Sequence, residues 1–178
     1  MNNERHKPAT IHTQLHNRNA ANREFDSTDV DRVRKGFIAK RVNGLITDEK
    51  GRFIGNSDNY EFLRDGRDCP DTVNPQLWRH ATLNAHHGLF KVADGVWQVR
   101  GYDISNITFI RGNTGWVIID PLTSEHTARA ALELMDEYVE KLPATVVIFT
   151  HSHADHFGGV LGVTTKEDVD AGRCQIVA

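Results

Sequence analysis

The chain has 178 residues, 39% of them apolar, and a formal net charge of −3. That length fits one domain with an extended arm, and the missing basic stripe excludes an electrostatic nucleic-acid binder. No apolar run reaches the roughly 18 residues of a membrane span, and no apolar h-region marks a secretory signal, so a cytoplasmic location is expected.

Residues 1–24 read as a disordered arm, because they offer almost nothing to bury, and His6, His12 and His16 within them lack ligand spacing. Residues 25–88 read as an N-terminal extension, charged and punctuated by glycine. Val30, Val33, Phe37 and Ile38 suggest a short amphipathic helix, with a turn near Asp48-Glu49-Lys50-Gly51. Asn74 and Pro75 look like the cap and first position of a helix. Cys69 and Cys174 stand far apart, form no C-x-x-C and are expected as free thiols.

The pattern sharpens over 89–178. Leu89–Val92 and Val96–Arg100 are strand candidates around an Ala93-Asp94-Gly95 turn. Ile107–Ile110 and Trp116–Ile119 follow, joined by a hairpin loop through Gly112 and Gly115. Ala131, Leu134, Met135, Tyr138, Val139 and Leu142 form the stripe of a helix lying on a sheet. Thr123 or Ser124 caps its start and Pro143 stops it. Thr145–Phe149 is a nearly unbroken apolar run, as in a buried parallel strand. The strand–helix–strand unit that results makes the fold class α/β. Cys174–Ala178 is an apolar, strand-like run with no polar tail, read as a sign of truncation.

The chemistry lies in Thr150-His151-Ser152-His153-Ala154-Asp155-His156, at the carboxyl end of the last buried strand, where open α/β sheets place their sites. In an extended turn His151 and His153 project to one side and can grip one metal. Asp155 and His156 fall a step further on and can grip a second. Two zinc ions roughly 3.5–4 Å apart can share and activate a hydroxide. Imidazole and carboxylate ligands without thiolate suit a catalytic centre better than a structural one. The bland alternative is a polar loop whose histidines cap a helix. Gly158-Gly159 is expected to let the backbone turn tightly. Two catalytic zincs need about six protein contacts and the loop supplies four, so the site is incomplete in this chain. His80, His86, His87 and His126 lie upstream or on a helix and add no obvious ligand. Asp120 can orient a ligating imidazole, or it is an ordinary turn aspartate before Pro121.

T-H-x-H-x-D-H after a buried strand resembles the metallo-β-lactamase superfamily, whose fold is an αββα sandwich. Further blocks look like the alkyl sulfatases of that superfamily: Asp71 through Trp78, Gly88-Leu89-Phe90, Trp97 through Gly101, Asp103 through Phe109, Ile118 through Leu122, and Thr150 through Val160. The resemblance runs from about residue 25 to the end. It implies the first half of the sandwich behind an irregular or helical arm. His151 and His153 would hold one zinc, and Asp155 and His156 the other. Asp155 would also orient the metal-bound hydroxide. The implied reaction splits alkyl sulfate esters such as dodecyl sulfate into alcohol and inorganic sulfate. It also implies a homodimer for the full-length family and further ligands downstream of the loop. Leu161 departs from the family pattern, which has a basic residue there. Two other readings stay open: a different hydrolase of the superfamily, or a non-catalytic metal-binding remnant.

Overall fold

The computed structural model describes residues 7–21, 26, 28–63 and 67–178. These form two compact units, one of residues 1–33 and 60–86, the other of residues 34–59 and 87–178.

The first unit carries helices α1 (Ile11–Ala21), α2 (Asp29–Arg34) and α3 (Pro75–Asn84). Asn74 caps α3 as expected, its side chain accepting from the Gln76 N–H at 2.9 Å, with Pro75 at the first position. The expected disordered arm is corrected over Ile11–Ala21. That stretch buries little apolar surface, and distant hydrogen bonds hold it instead. Asn17 Nδ2 donates to the Asp71 carbonyl at 2.8 Å and Gln76 Nε2 to the Ala20 carbonyl at 3.1 Å. His12 and His16 are exposed on α1, while His6 lies outside the described residues. Cys69 is free, and burial pushes its thiol up.

In the second unit, strands β1 (Phe37–Ala39), β4 (Gly88–Ala93), β5 (Val96–Arg100), β6 (Ile107–Arg111), β7 (Trp116–Ile119), β8 (Ala144–Ile148) and β9 (Gln175–Val177) form one sheet in the order β1-β4-β5-β6-β7-β8-β9. Strands β2 (Leu45–Thr47) and β3 (Phe53–Asn56) pair separately. The expected helix through Phe37 and Ile38 is also corrected. Its turns stop at Arg34, Gly36 reverses the chain at φ +76°, and Phe37 pairs with Phe90 in the sheet. Cross-strand pairing overrides a weak helical spacing here. Residues 34–59, assigned to the extension from sequence, therefore give the main sheet its first strand.

β7 and β8 run parallel, as do β8 and β9, and the other neighbours are antiparallel. Helix α4 (Glu125–Tyr138) connects β7 to β8. Ser124 caps it, accepting from the Thr127 N–H at 3.1 Å. The apolar stripe predicts the helix to Leu142, but it ends at Tyr138, where the cap residue Val139 already leaves helical backbone at φ −124° and ψ −79°. Val139 and Leu142 still pack on the core from the irregular segment.

Ala128, Ala131, Leu134 and Met135 of α4 meet Leu89, Val99, Ile107, Phe109, Trp116, Ile118 and Val147 of the sheet, each at most 2% exposed. Trp116 is the largest of these, with ring centroids 5.6 Å from Trp97 and 6.2 Å from Phe109. Trp116→Ala is expected to cost about 3–5 kcal/mol in urea unfolding, through the cavity it leaves. Trp116→Phe should cost far less, since the buried indole N–H has no hydrogen-bond partner to lose. Equal losses would contradict a packing role. On the other sheet face Ile110, Val117, Ile119, Val146 and Ile148 align across their strands and stay half-buried.

Candidate metal centre

Because β7 and β8 are parallel neighbours, the chain leaves both at the same end of the sheet. Asp120 stands directly after β7, and Thr150 and His151 follow β8 within three residues. Asp120 and Leu122 adopt left-handed backbone, φ +54° and +64°, a conformation that costs a non-glycine residue about 1–3 kcal/mol and clusters at functional sites. The Asp120 N–H donates to the Ile148 carbonyl at 3.0 Å, which turns its carboxylate toward the exit of β8.

That carboxylate gathers three contacts. Oδ1 accepts from the Thr150 N–H at 2.9 Å and Oδ2 from the Thr150 hydroxyl at 2.8 Å. His156 Nδ1 lies 2.8 Å from the same Oδ2. It sits off the line of a straight N–H···O bond, and a hydrogen on Nδ1 is what makes so short an approach to a carboxylate oxygen favourable. Burial alone would push the Asp120 carboxyl up, but hydrogen bonds from the Thr150 N–H, the His156 ring and the Thr150 hydroxyl outweigh it and hold the group below its ordinary value. A carboxyl depressed in the fold adds stability above its unfolded pKa and loses it as pH falls through the lower folded value. The stability gap between wild type and Asp120→Asn is therefore expected to shrink as pH drops below the ordinary carboxylate range. A gap unchanged in an acid titration of urea unfolding would contradict this.

The ligand loop leads into helix α5 (Ala154–Phe157). His153 occupies the cap position but makes no side-chain cap bond, so helix capping does not account for it. His151 Nε2 and His153 Nδ1 lie 3.2 Å apart. Asp155 Oδ2 and His156 Nε2 form a second pair, also at 3.2 Å. The rings of His151 and His156 meet at a tilt of 46° with centroids 4.0 Å apart, which sets the two pairs side by side. His151 and His153 are exposed, and Asp155 and His156 are half-buried. Two nitrogens in one pair, and an oxygen with a nitrogen in the other, are donor sets that divalent zinc accepts in catalytic centres. The residues therefore fit a metal centre by the chemistry of their donor atoms.

Neighbouring elements lock this loop in place. Ser105 donates through its hydroxyl to the Asp155 carbonyl. Asp103 accepts from the Thr123 N–H at 3.1 Å and from the hydroxyls of Thr123 and Thr127 at 2.7 Å, fixing the start of α4. Sequence reasoning missed both roles, since Ser105 lies 50 residues from its partner and no local spacing connects them. The glycine pair also works differently from the expectation. Gly158 and Gly159 have ordinary φ values of −60° and −89°. Glycine is needed for close approach: a Cβ on Gly159 would overlap the Pro121 carbonyl and come within 2.6 Å of the Ser124 oxygen. The Gly159 N–H donates to the Leu122 carbonyl at 2.9 Å across this contact.

The other histidines lie elsewhere. His87 is buried, its ring 6.4 Å from that of Tyr102, and His80 meets Asn84 at 3.0 Å. Glu49, Glu125 and His126 bring possible ligand atoms within 4.8 Å of one another. Arg129 lies 3.6 Å from Glu49 in the same group and already supplies a cation. Among the described residues, no helix is long and apolar enough to cross a membrane.

A model of the metallo-β-lactamase superfamily matches residues 100–178. The chain is 46% identical over 175 residues to a linear primary-alkylsulfatase of Pseudomonas sp, covering 97% of this chain and 26% of the relative. It is 44% identical over 153 residues to an alkyl/aryl-sulfatase of Saccharomyces cerevisiae, covering 86% and 24% respectively. The solved structure of the stereoselective inverting sec-alkylsulfatase Pisa1 from Pseudomonas sp. superposes with a TM-score of 0.88 at 41% identity, over 96% of this chain and 27% of that one. The chain thus spans about a quarter of the length of the curated relatives it matches. The mixed sheet with α4 on one face agrees with the expected superfamily fold, and the chain is a homologue of the alkylsulfatases in the metallo-β-lactamase superfamily.

Proposed function

We propose that this chain contributes half of a two-zinc site that hydrolyses alkyl sulfate esters to an alcohol and inorganic sulfate. The observation that carries the reading is the pairing at the sheet end, His151 Nε2 with His153 Nδ1 and Asp155 Oδ2 with His156 Nε2. The substrate class comes from the relatives, named for primary, secondary and mixed alkyl/aryl sulfates.

In this reading His151 and His153 hold one zinc and Asp155 and His156 the other. Zinc held there supplies Lewis acidity, making water more acidic and offsetting negative charge as the ester bond breaks. Asp120 fixes the His156 ring through Nδ1 and leaves Nε2 bare. Asp155 is the one anionic donor of the four, and its carboxylate can orient the attacking water by accepting a hydrogen bond from it. Two catalytic zincs call for about six protein contacts, so further ligands come from the part of the relatives' length that this chain does not span. A further layer would also cover the half-buried face formed by Val117, Ile119, Val146 and Ile148.

The test is sulfate release from dodecyl sulfate, with zinc content, for the 178-residue chain and for a protein extended to the relatives' length. We expect turnover from the extended protein only, and association of the short chain through its open sheet face. Zinc binding without sulfate release by the extended protein would remove the substrate assignment and leave a metallohydrolase.

A further inference from the structure

We infer that Thr150 is a positioning residue that fixes which nitrogen of His151 is free for metal, by relaying the constraint of Asp120 to that ring. The inference deepens the proposed zinc site and rests on it for the identity of the metal.

The Thr150 hydroxyl carries one hydrogen and has two neighbours, Asp120 Oδ2 at 2.8 Å and His151 Nδ1 at 3.0 Å. An ionised carboxylate can only accept, so the hydroxyl hydrogen points at Asp120. Toward His151 the hydroxyl then offers only lone pairs, and Nδ1 must bring the hydrogen for that contact. A neutral ring with hydrogen on Nδ1 has a bare Nε2. That bare atom is the one 3.2 Å from His153 Nδ1.

The opposite tautomer fails the same count. With Nδ1 bare, the Thr150 hydroxyl would face two acceptors with one hydrogen, and either Asp120 or His151 would lose its bond. The same Oδ2 also lies 2.8 Å from His156 Nδ1; a hydrogen on Nδ1 leaves Nε2 as an acceptor 3.2 Å from the acceptor Asp155 Oδ2, an approach that is favourable when the two share a cation. One carboxylate oxygen thus sets two imidazoles, His156 directly and His151 through Thr150. Each bare nitrogen faces the next donor of its own pair.

The experiment is nitrogen NMR of the histidine rings in the zinc-free full chain, combined with zinc affinity by chelator competition. Wild type, Thr150→Val and Thr150→Ser are compared. Wild type and Thr150→Ser should carry the His151 hydrogen on Nδ1. Thr150→Val, similar in shape but without the hydroxyl, should shift it toward Nε2 and lower zinc affinity on the order of 10–100-fold, as loss of an outer hydrogen-bond partner does. Thr150→Ser should restore the affinity. A wild-type ring with hydrogen on Nε2, or a Thr150→Val ring and affinity equal to wild type, would overturn the relay. If Thr150→Val does not fold, the wild-type and Thr150→Ser tautomers decide. If wild type binds no zinc, the metal reading falls, and the ring tautomer still decides the relay.

Discussion

Replacing Asp120 with alanine is expected to lower zinc affinity by about 10–100-fold, the usual scale for removing a partner that orients a metal-binding imidazole. The zinc-free protein should also lose about 2–3 kcal/mol. Hydrogen bonds to a charged acceptor contribute about 1.5–3 kcal/mol each, and Asp120 accepts from both the N–H and the hydroxyl of Thr150. The loss falls short of their sum because Thr150 is exposed and can turn to water. Chelator competition reads the first effect and urea unfolding the second. Lost stability with unchanged zinc affinity would make Asp120 a turn residue that only ties β7 to β8.

Gly159→Ala should be the most damaging single-methyl change in the site. The added carbon has no room against the Pro121 and Ser124 carbonyl oxygens, and it would sit 2.9 Å from Ala128 Cβ. Overpacking of this kind costs about 1–3 kcal/mol. The strain acts on the segment that carries Asp155 and His156, so zinc affinity should fall along with stability. Gly55→Ala is the matched control, because a Cβ there meets nothing closer than 3.9 Å. It should be neutral or slightly stabilising. Equal effects from both changes would remove the claim that close backbone contact positions the site.

Much of the second unit was legible because its signals are local. Gly95 takes the positive φ of +73° that the turn before β5 requires, the stripe on α4 faces the sheet, and the unbroken run through Val147 is the parallel strand. The candidate metal loop stood out for the same reason, since its four side chains lie within one short segment after a buried strand, and the structure brings them together in two pairs. What stayed hidden depends on partners far along the chain. α1 is held by Asn17 reaching the Asp71 carbonyl, and β1 exists through its pairing with β4. The Ser105 tether to Asp155 likewise joins segments with no spacing in common. Gly159 was noticed, but its reason lies in the approach of Pro121, which periodicity cannot show.

The most direct test of the account is zinc stoichiometry by elemental analysis after dialysis, on the protein extended to the relatives' length. Wild type is compared with a His151→Ala/His153→Ala double variant and an Asp155→Ala/His156→Ala double variant. Wild type should hold about two zincs and each variant about one, and neither variant should release sulfate. Wild type without zinc, or variants that keep the full complement, would contradict a centre built from these two pairs.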